Sequence, residues 1–394
     1  MTTGVRTEFA AADPLAAARA LAPLAAEHAA FADAERRLAP ELVEGLRESG
    51  LFRMLVPAAL GGGEAEPARM MAAVDELAHA DAATGWCVAV AATSGLLGGY
   101  LPEEHAREVF SDPRGCVGGV FAPKGRARPV GPDALEVSGR WPFASGVQHS
   151  DWLMGGCLVE ADGDVTRTES GAPDSRLALV PAKAVEVIDT WDVAGLRGTG
   201  SHDFAVESAR VPRGRTASLV SDEHRAPGAL YAFPVFGLLA LAIASVGTGI
   251  ARAALEDLIE LAGGKVPAMA TKALAQQPDA QARTAKAEAG LRAARALLDE
   301  EVGGAWTAAA ETGDVSLERR AGLRLAASHA MFTSAHVVDE AYALAGGSAV
   351  YASNPLQRRF RDVHVATQHM LVNPSTWEFA GRVLLGAPVR AEQF

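Results

Sequence analysis

Apolar residues recur every three or four positions from about residue 14 to residue 110, as in Glu41-Leu-Val-Glu-Gly-Leu-Arg47 and Ala72-Ala-Val-Asp-Glu-Leu-Ala78, with a break at Gly61-Gly-Gly63. That spacing is the period of helices buried on one face, and the glycine run predicts a turn between them. From Gly115 the texture changes. Ala134-Leu-Glu-Val-Ser138, Trp152-Leu-Met154, Arg176-Leu-Ala-Leu-Val180 and Asp203-Phe-Ala-Val-Glu207 alternate or run short and apolar between Gly, Pro and Asp. These predict the strands of a small β-domain. After Pro227 the helical period returns, over about 234–261, 278–311, 316–344 and 356–372. The expected fold is therefore mostly α with an inserted β-domain: a helical domain over 1–112, a β-domain over 113–222 and a helical bundle over 223–394.

Composition narrows the function classes. The 394-residue chain carries a formal net charge of −12 and no run of Lys or Arg, which argues against a nucleic acid or an anionic membrane as partner. Cys87, Cys116 and Cys157 are scattered and odd in number, which fits a reducing cytoplasm and neither a disulfide framework nor a zinc motif. Arg6 and Glu8 precede an Ala-rich amphipathic stretch with no apolar core, so no signal peptide is expected. Residues 233–250 are apolar enough to suggest a membrane span, but Pro234, Gly237, Gly247 and Gly249 interrupt them and no cluster of basic residues or aromatic belt flanks them. A central helix buried on all sides is expected there instead.

Common catalytic motifs are missing. There is no phosphate-binding G-x-x-x-x-G-K-[ST] and no G-x-S-x-G. Gly198-Thr-Gly200 and Gly247-Thr-Gly249 are each half a dinucleotide fingerprint, one expected between strands and the other inside a buried helix, so neither fits strand–loop–helix. His364 and His369 lie roughly 140° apart around a helix and cannot share ligand duty. His329 and His336 share a face but read as ordinary polar or half-buried residues. No metal site is expected. His369 stands out instead, in the polar run Arg359-Phe-Arg-Asp-Val-His-Val-Ala-Thr-Gln-His-Met370, because its unperturbed pKa lies near neutrality. Pro374 is expected to stop this helix, and Ser375 with Glu378 to form a capping box that starts the next.

Several segments, in order along nearly the whole chain, carry a resemblance. They are Gly50-Leu-Phe-Arg-Met-Leu-Val-Pro57 with Gly61-Gly62, Trp141-Pro-Phe-Ala-Ser-Gly146, and Gly195-Leu-Arg-Gly-Thr-Gly-Ser-His-Asp203 with Val211-Pro212. Further on come Gln281 with Ala293-Ala-Arg295, and Gly346-Gly347 with Pro355-Leu-Gln-Arg-Arg-Phe-Arg-Asp362. The chain thereby resembles the acyl-CoA dehydrogenase fold: an N-terminal helical bundle, a central β-barrel or sandwich and a C-terminal four-helix bundle. In the dehydrogenases a glutamate removes the α-proton of an acyl thioester. At one family position of that base this chain has His369-Met370, and at the other, within 234–247, it has no acid. Glu378, the nearest acid, is spoken for by the capping spacing.

Thr367-Gln-His369 and Ala144-Ser145-Gly146 are similar instead to the flavin-dependent monooxygenases of this fold. That resemblance implies an enzyme that hydroxylates an indole- or phenol-like ring, that of a natural product included, with dioxygen as co-substrate. Reduced flavin, FAD rather than FMN, would come from a separate NAD(P)H-flavin reductase. Oxygen would add at flavin C4a, and the distal peroxide oxygen would pass to the ring. His369 and Ser145 would be catalytic. Trp141, Phe143, Ala144, Ser145, Lys265, Gly346, Gly347 and Gln368 would bind the cofactor, Lys265 near its pyrophosphate unless it is simply solvated. The relatives often carry a second histidine near Asp81-Ala-Ala-Thr-Gly-Trp-Cys87; this chain has none between His79 and His105. A homotetramer is implied by the same resemblance. An acyl-CoA dehydrogenase with a displaced base is the alternative, and a non-catalytic scaffold is a third reading.

Overall fold

Proline opens helix after helix: Pro14, Pro40, Pro67, Pro278 and Pro355 each stand in the first turn, where a missing N–H costs nothing. A computed structural model describes residues 13–168 and 171–389. Arg6 and Glu8 lie outside the described residues. The first helices are α1 (Pro14–Glu35), α2 (Pro40–Glu48), α3 (Pro67–Ala80), α4 (Ala82–Ser94) and α5 (Glu103–Phe110). Among the described residues eight strands follow: β1 (Val117–Pro129), β2 (Ala134–Trp141), β3 (Trp152–Ala161), β4 (Asp164–Val165), β5 (Ser175–Pro181), β6 (Glu186–Ile188), β7 (Asp203–Pro212) and β8 (Thr216–Ala217). The chain closes with α6 (Ala229–Ala232), α7 (Val235–Gly264), α8 (Pro278–Thr312), α9 (Leu317–Ala345), α10 (Pro355–Ala366) and α11 (Ser375–Leu384). This is the acyl-CoA dehydrogenase-like arrangement the sequence predicts.

The strands form one mixed sheet in the order β6-β7-β2-β1-β3-β5-β8, with β4 added against β3. Among the described residues only the β1–β3 pair is parallel. β1 escapes sequence reading because Val117-Gly-Gly-Val-Phe-Ala-Pro-Lys-Gly125 carries the punctuation of a loop. The structure absorbs Pro123 at a register shift against β3. The sheet has its own core around Trp141, Leu153 and Phe204.

α7 is the buried central helix expected from its apolar run, extended to Gly264. Two stretches, Ala82–Gly99 and Val235–Gly264, are long and apolar enough to cross a membrane by length and composition, yet 94% of each such window is buried inside the protein. One apolar core runs from the N-terminal helices through α7 and α9. α7 lies against α3 at Gly249, where a Cβ would come within 2.4 Å of the Asp75 carbonyl oxygen.

Two expectations near the C-terminus are corrected. The helix expected over 356–372 ends at Ala366. The Thr367 hydroxyl donates to the His364 carbonyl, and residues 367–374 run on as turns, so His369 stands in a turn and not on a helix. The Ser375/Glu378 capping box does not form. Asn373 accepts from the Ser375 N–H (3.1 Å) and hydroxyl (2.6 Å), while Glu378 pairs with Arg382 one turn on.

Candidate active site

β2 delivers the segment Trp141-Pro-Phe-Ala-Ser-Gly146, and Trp141 is its foundation. Its indole is fully buried, stacks on Phe204 (centroids 4.8 Å apart, 15°) and donates from Nε1 to the Gly156 carbonyl at 2.7 Å. A Cβ at Gly125 or Gly155 would fall 2.2 or 2.7 Å from that ring, so bare backbone on β1 and β3 makes its slot. Trp141, expected to contact the cofactor, is sealed in the sheet core and supports the segment from beneath. Phe143 is the opposite case. It takes a left-handed backbone (φ 67°), stands 69% exposed and meets the edge of Trp191 at 6.1 Å. Backbone bonds pin the residues after it: the Ala144 N–H donates to the His202 carbonyl (3.1 Å) and the Gly146 N–H to the Thr199 carbonyl (2.9 Å).

Ser145 is buried and held from two sides. Trp86 on α4 donates to its Oγ from Nε1 at 3.0 Å, and Ser201 Oγ lies 2.7 Å away. α4 can bring Trp86 this close because it is otherwise built of small residues and is capped by Asp81, which accepts from the Thr84 N–H and hydroxyl. The same indole meets His369 edge to face, with centroids 5.5 Å apart at 76°. The structure thus joins His369 and Ser145 through Trp86. Sequence reading passed over this residue, because a tryptophan inside an Ala-rich helix reads as core.

Burial and the nearby Arg324 cation push the His369 imidazole down to about 4, so it is neutral at pH 7. Its Nδ1 accepts a long bond from the Leu371 N–H (3.4 Å), which leaves the proton on Nε2. The same turn is held from α9, where buried Arg324 donates to the Leu371 carbonyl at 3.3 Å. Desolvation lowers that guanidinium to about 10.

Other expected residues lie elsewhere. Gln368 is exposed and donates to Thr367 Oγ1 at 3.1 Å. Lys265, just past α7, donates from Nζ to the Ala345 carbonyl and to Ser348 Oγ (2.8 Å), at the exposed turn that contains Gly346 and Gly347. These three form a second locus, a cation at an open glycine turn, of the kind a phosphate suits. His364 pairs with Asp339 at 2.8 Å, and Arg361 with Asp33 at 3.0 Å. Asp362 ties α10 to the loop before β7 by accepting from the Leu196 N–H at 2.6 Å. A Cβ at Gly195 would fall 2.2 Å from the Arg361 carbonyl oxygen, so two segments singled out in the sequence meet at van der Waals limits.

Comparison with known proteins agrees with this architecture. Residues 15–101 match the acyl-CoA dehydrogenase N-terminal domain and residues 241–374 the acyl-CoA dehydrogenase C-terminal domain. An indole-3-acetate monooxygenase of Pseudomonas putida is 33% identical over 362 residues, covering 90% of this chain and 89% of its own. The oxygenase component of an FADH2-dependent resorcinol hydroxylase from a Rhizobium strain is 28% identical, covering 89% and 87%. Among solved structures, a 3-HSA hydroxylase from Rhodococcus superposes with a TM-score of 0.88 at 26% identity, over 97% of this chain and 99% of that one.

Proposed function

The chain belongs to the acyl-CoA dehydrogenase family, in its flavin-dependent monooxygenase branch, and from that premise we propose that it hydroxylates an indole- or phenol-like ring with reduced FAD and dioxygen. One observation carries the reading most. Where the dehydrogenases place a carboxylate base, this chain places a neutral, desolvated imidazole joined through Trp86 to a buried hydroxyl. A neutral imidazole that keeps its proton on Nε2 is a poor base for a carbon acid and a good hydrogen-bond donor.

The residues fit a flavin. Trp86 and Phe143 offer aromatic surface, Ser145 and His369 offer two polar contacts in an apolar setting, and Lys265 offers a cation for phosphate. The diphosphate of FAD suits the Lys265–Gly346–Gly347 turn better than the single phosphate of FMN. When bound, the reduced flavin supplies the electrons that activate dioxygen for transfer to the ring. His369 then holds a proton at Nε2 for an oxygen atom, and Trp86 fixes the imidazole plane. The apolar residues of α4 and α7 keep water from the reacting atoms.

A separate reductase would deliver the reduced flavin, as the oxygenase-component name of the Rhizobium relative suggests. A cytoplasmic homo-oligomer, a tetramer by family resemblance, completes the proposal; exposed Trp377, Leu384 and Leu385 on and just after α11 supply apolar surface for association. The test is anaerobic mixing with dithionite-reduced FAD and indole or phenol, then air. A hydroxylated ring is expected. Bleaching of bound oxidised flavin by an acyl-CoA, without hydroxylation, would favour a dehydrogenase.

A further inference from the structure

Arg53, in the Gly50–Pro57 segment, is a buried cation, 4% exposed, that meets no carboxylate at ion-pair distance among the described residues. A guanidinium carries five N–H donors, and the two hydrogen bonds Arg53 makes come from a single nitrogen. Nη2 donates to the Leu60 carbonyl at 2.9 Å and to the Phe110 carbonyl at 3.0 Å. Nη1 donates to no protein acceptor among the described residues, and Nε is buried without one. Asp112 is the acid whose charge Arg53 feels, but its Oδ1 accepts the Arg114 N–H at 2.8 Å. A buried charge in this state is costly unless a ligand supplies the acceptor.

The same side chain lines an open cavity of about 650 Å³, a size that suits a small organic molecule. Buried Pro14, Leu51 and Met54 line it beside Arg53, and exposed Glu48, Ser111 and Arg114 line it nearer solvent. The other two arginines on its wall are already matched. Arg47 pairs with Asp151 at 2.7 Å, and Arg114 pairs with Glu44 and, at 3.3 Å, with Glu48. Arg53 is thus the cation on this wall with no acid in contact, and Glu48 opposes any ligand of high negative charge. Trp86, Ser145 and His369 do not line the cavity. We propose that it binds a small apolar monocarboxylate, with the carboxylate on Arg53 and the hydrocarbon part on Leu51 and Met54, at a site separate from the reacting ring. This site does not depend on the flavin reading.

The test follows fluorine NMR line broadening of fluorobenzoate on the native protein at neutral pH, with fluorobenzamide as its uncharged match. Saturable binding of the acid is expected, at least about tenfold tighter than binding of the amide, the worth of a hydrogen bond to a charged group. It should persist under saturating indole and in His369→Ala, which separates this cavity from the site around Ser145. Arg53→Met should erase the tenfold margin. Ser111→Trp should weaken binding by crowding the rim, and Glu48→Gln should tighten it by up to about fivefold, removing the opposing charge and releasing Arg114. Those two variants change exposed side chains, so they decide the matter if Arg53→Met does not fold. No saturable binding, or equal binding of acid and amide, overturns the proposal. So does displacement of fluorobenzoate by indole, or by inorganic phosphate at equal concentration, and so does unchanged affinity in Arg53→Met or in both rim variants.

Discussion

At the residue scale His369 carries the most weight. His369→Ala should cut hydroxylation by about 10²–10⁴-fold, the usual worth of a positioned acid or base, and raise hydrogen peroxide per reduced flavin consumed. An unchanged ratio of product to peroxide would remove His369 from the site. Because the group stays neutral above about pH 4, His369 should contribute no limb to the turnover profile between pH 5 and 8. A limb in that range that vanishes in His369→Gln would contradict the assignment. His369 could be picked out in the sequence because the family resemblance puts it near the slot where the dehydrogenases keep their acid. Trp86 was not, since only the fold shows one indole touching both Ser145 and His369. Trp141 looked like a ligand contact for the opposite reason: Phe143 in the same motif is exposed, while the Trp141 ring points into the sheet.

At the scale of elements, the docking of α10 on the loop before β7 depends on Asp362. Burial raises its carboxyl to about 7, with Asp81 nearby adding to the effect and the Leu196 N–H opposing it. An unfolded aspartate releases its proton near pH 4, so between about pH 4 and 7 the unfolded chain binds fewer protons and stability falls as pH rises. Asp362→Asn keeps the acceptor and never ionises. It should gain on the native protein in denaturant melts as pH moves from 5 to 7, whereas Asp362→Ala should lose about 1–3 kcal/mol by orphaning the Leu196 N–H. A native-like pH slope in Asp362→Asn would show that the buried carboxyl is not the source. Helical periods predicted most of these elements well, because α7, α8 and α9 are long and regular. The segment after α10 departs from a helix because side chains capture backbone and hydroxyl groups there: the Thr367 hydroxyl donates to the His364 carbonyl, and Asn373 accepts from the Ser375 N–H and hydroxyl.

Across the whole molecule, acid should weaken the fold through two imidazoles. His149, stacked on Phe52 at 5.3 Å, is pushed down to about 4 by burial and the Arg47 charge, and His369 to about 4 by burial and Arg324. Both remain neutral in the folded chain while the unfolded chain protonates them below about pH 6.5, so stability should drop as pH falls from about 6.5 to 4. His149→Phe should flatten part of that loss in thermal melts, and an undiminished acid slope would contradict its origin there. The order of helices, sheet and helices could be read from the change of hydrophobic period alone. The pairing of β1 with β3 could not, because Gly and Pro disguise β1. Oxygen chemistry on an aromatic ring is the central claim for the molecule. Its most direct test is turnover of indole or phenol with chemically reduced FAD under ¹⁸O2, read by mass spectrometry. One ¹⁸O atom in the hydroxylated product is the predicted result; product oxygen drawn from water, or no oxygenated product at all, would contradict it.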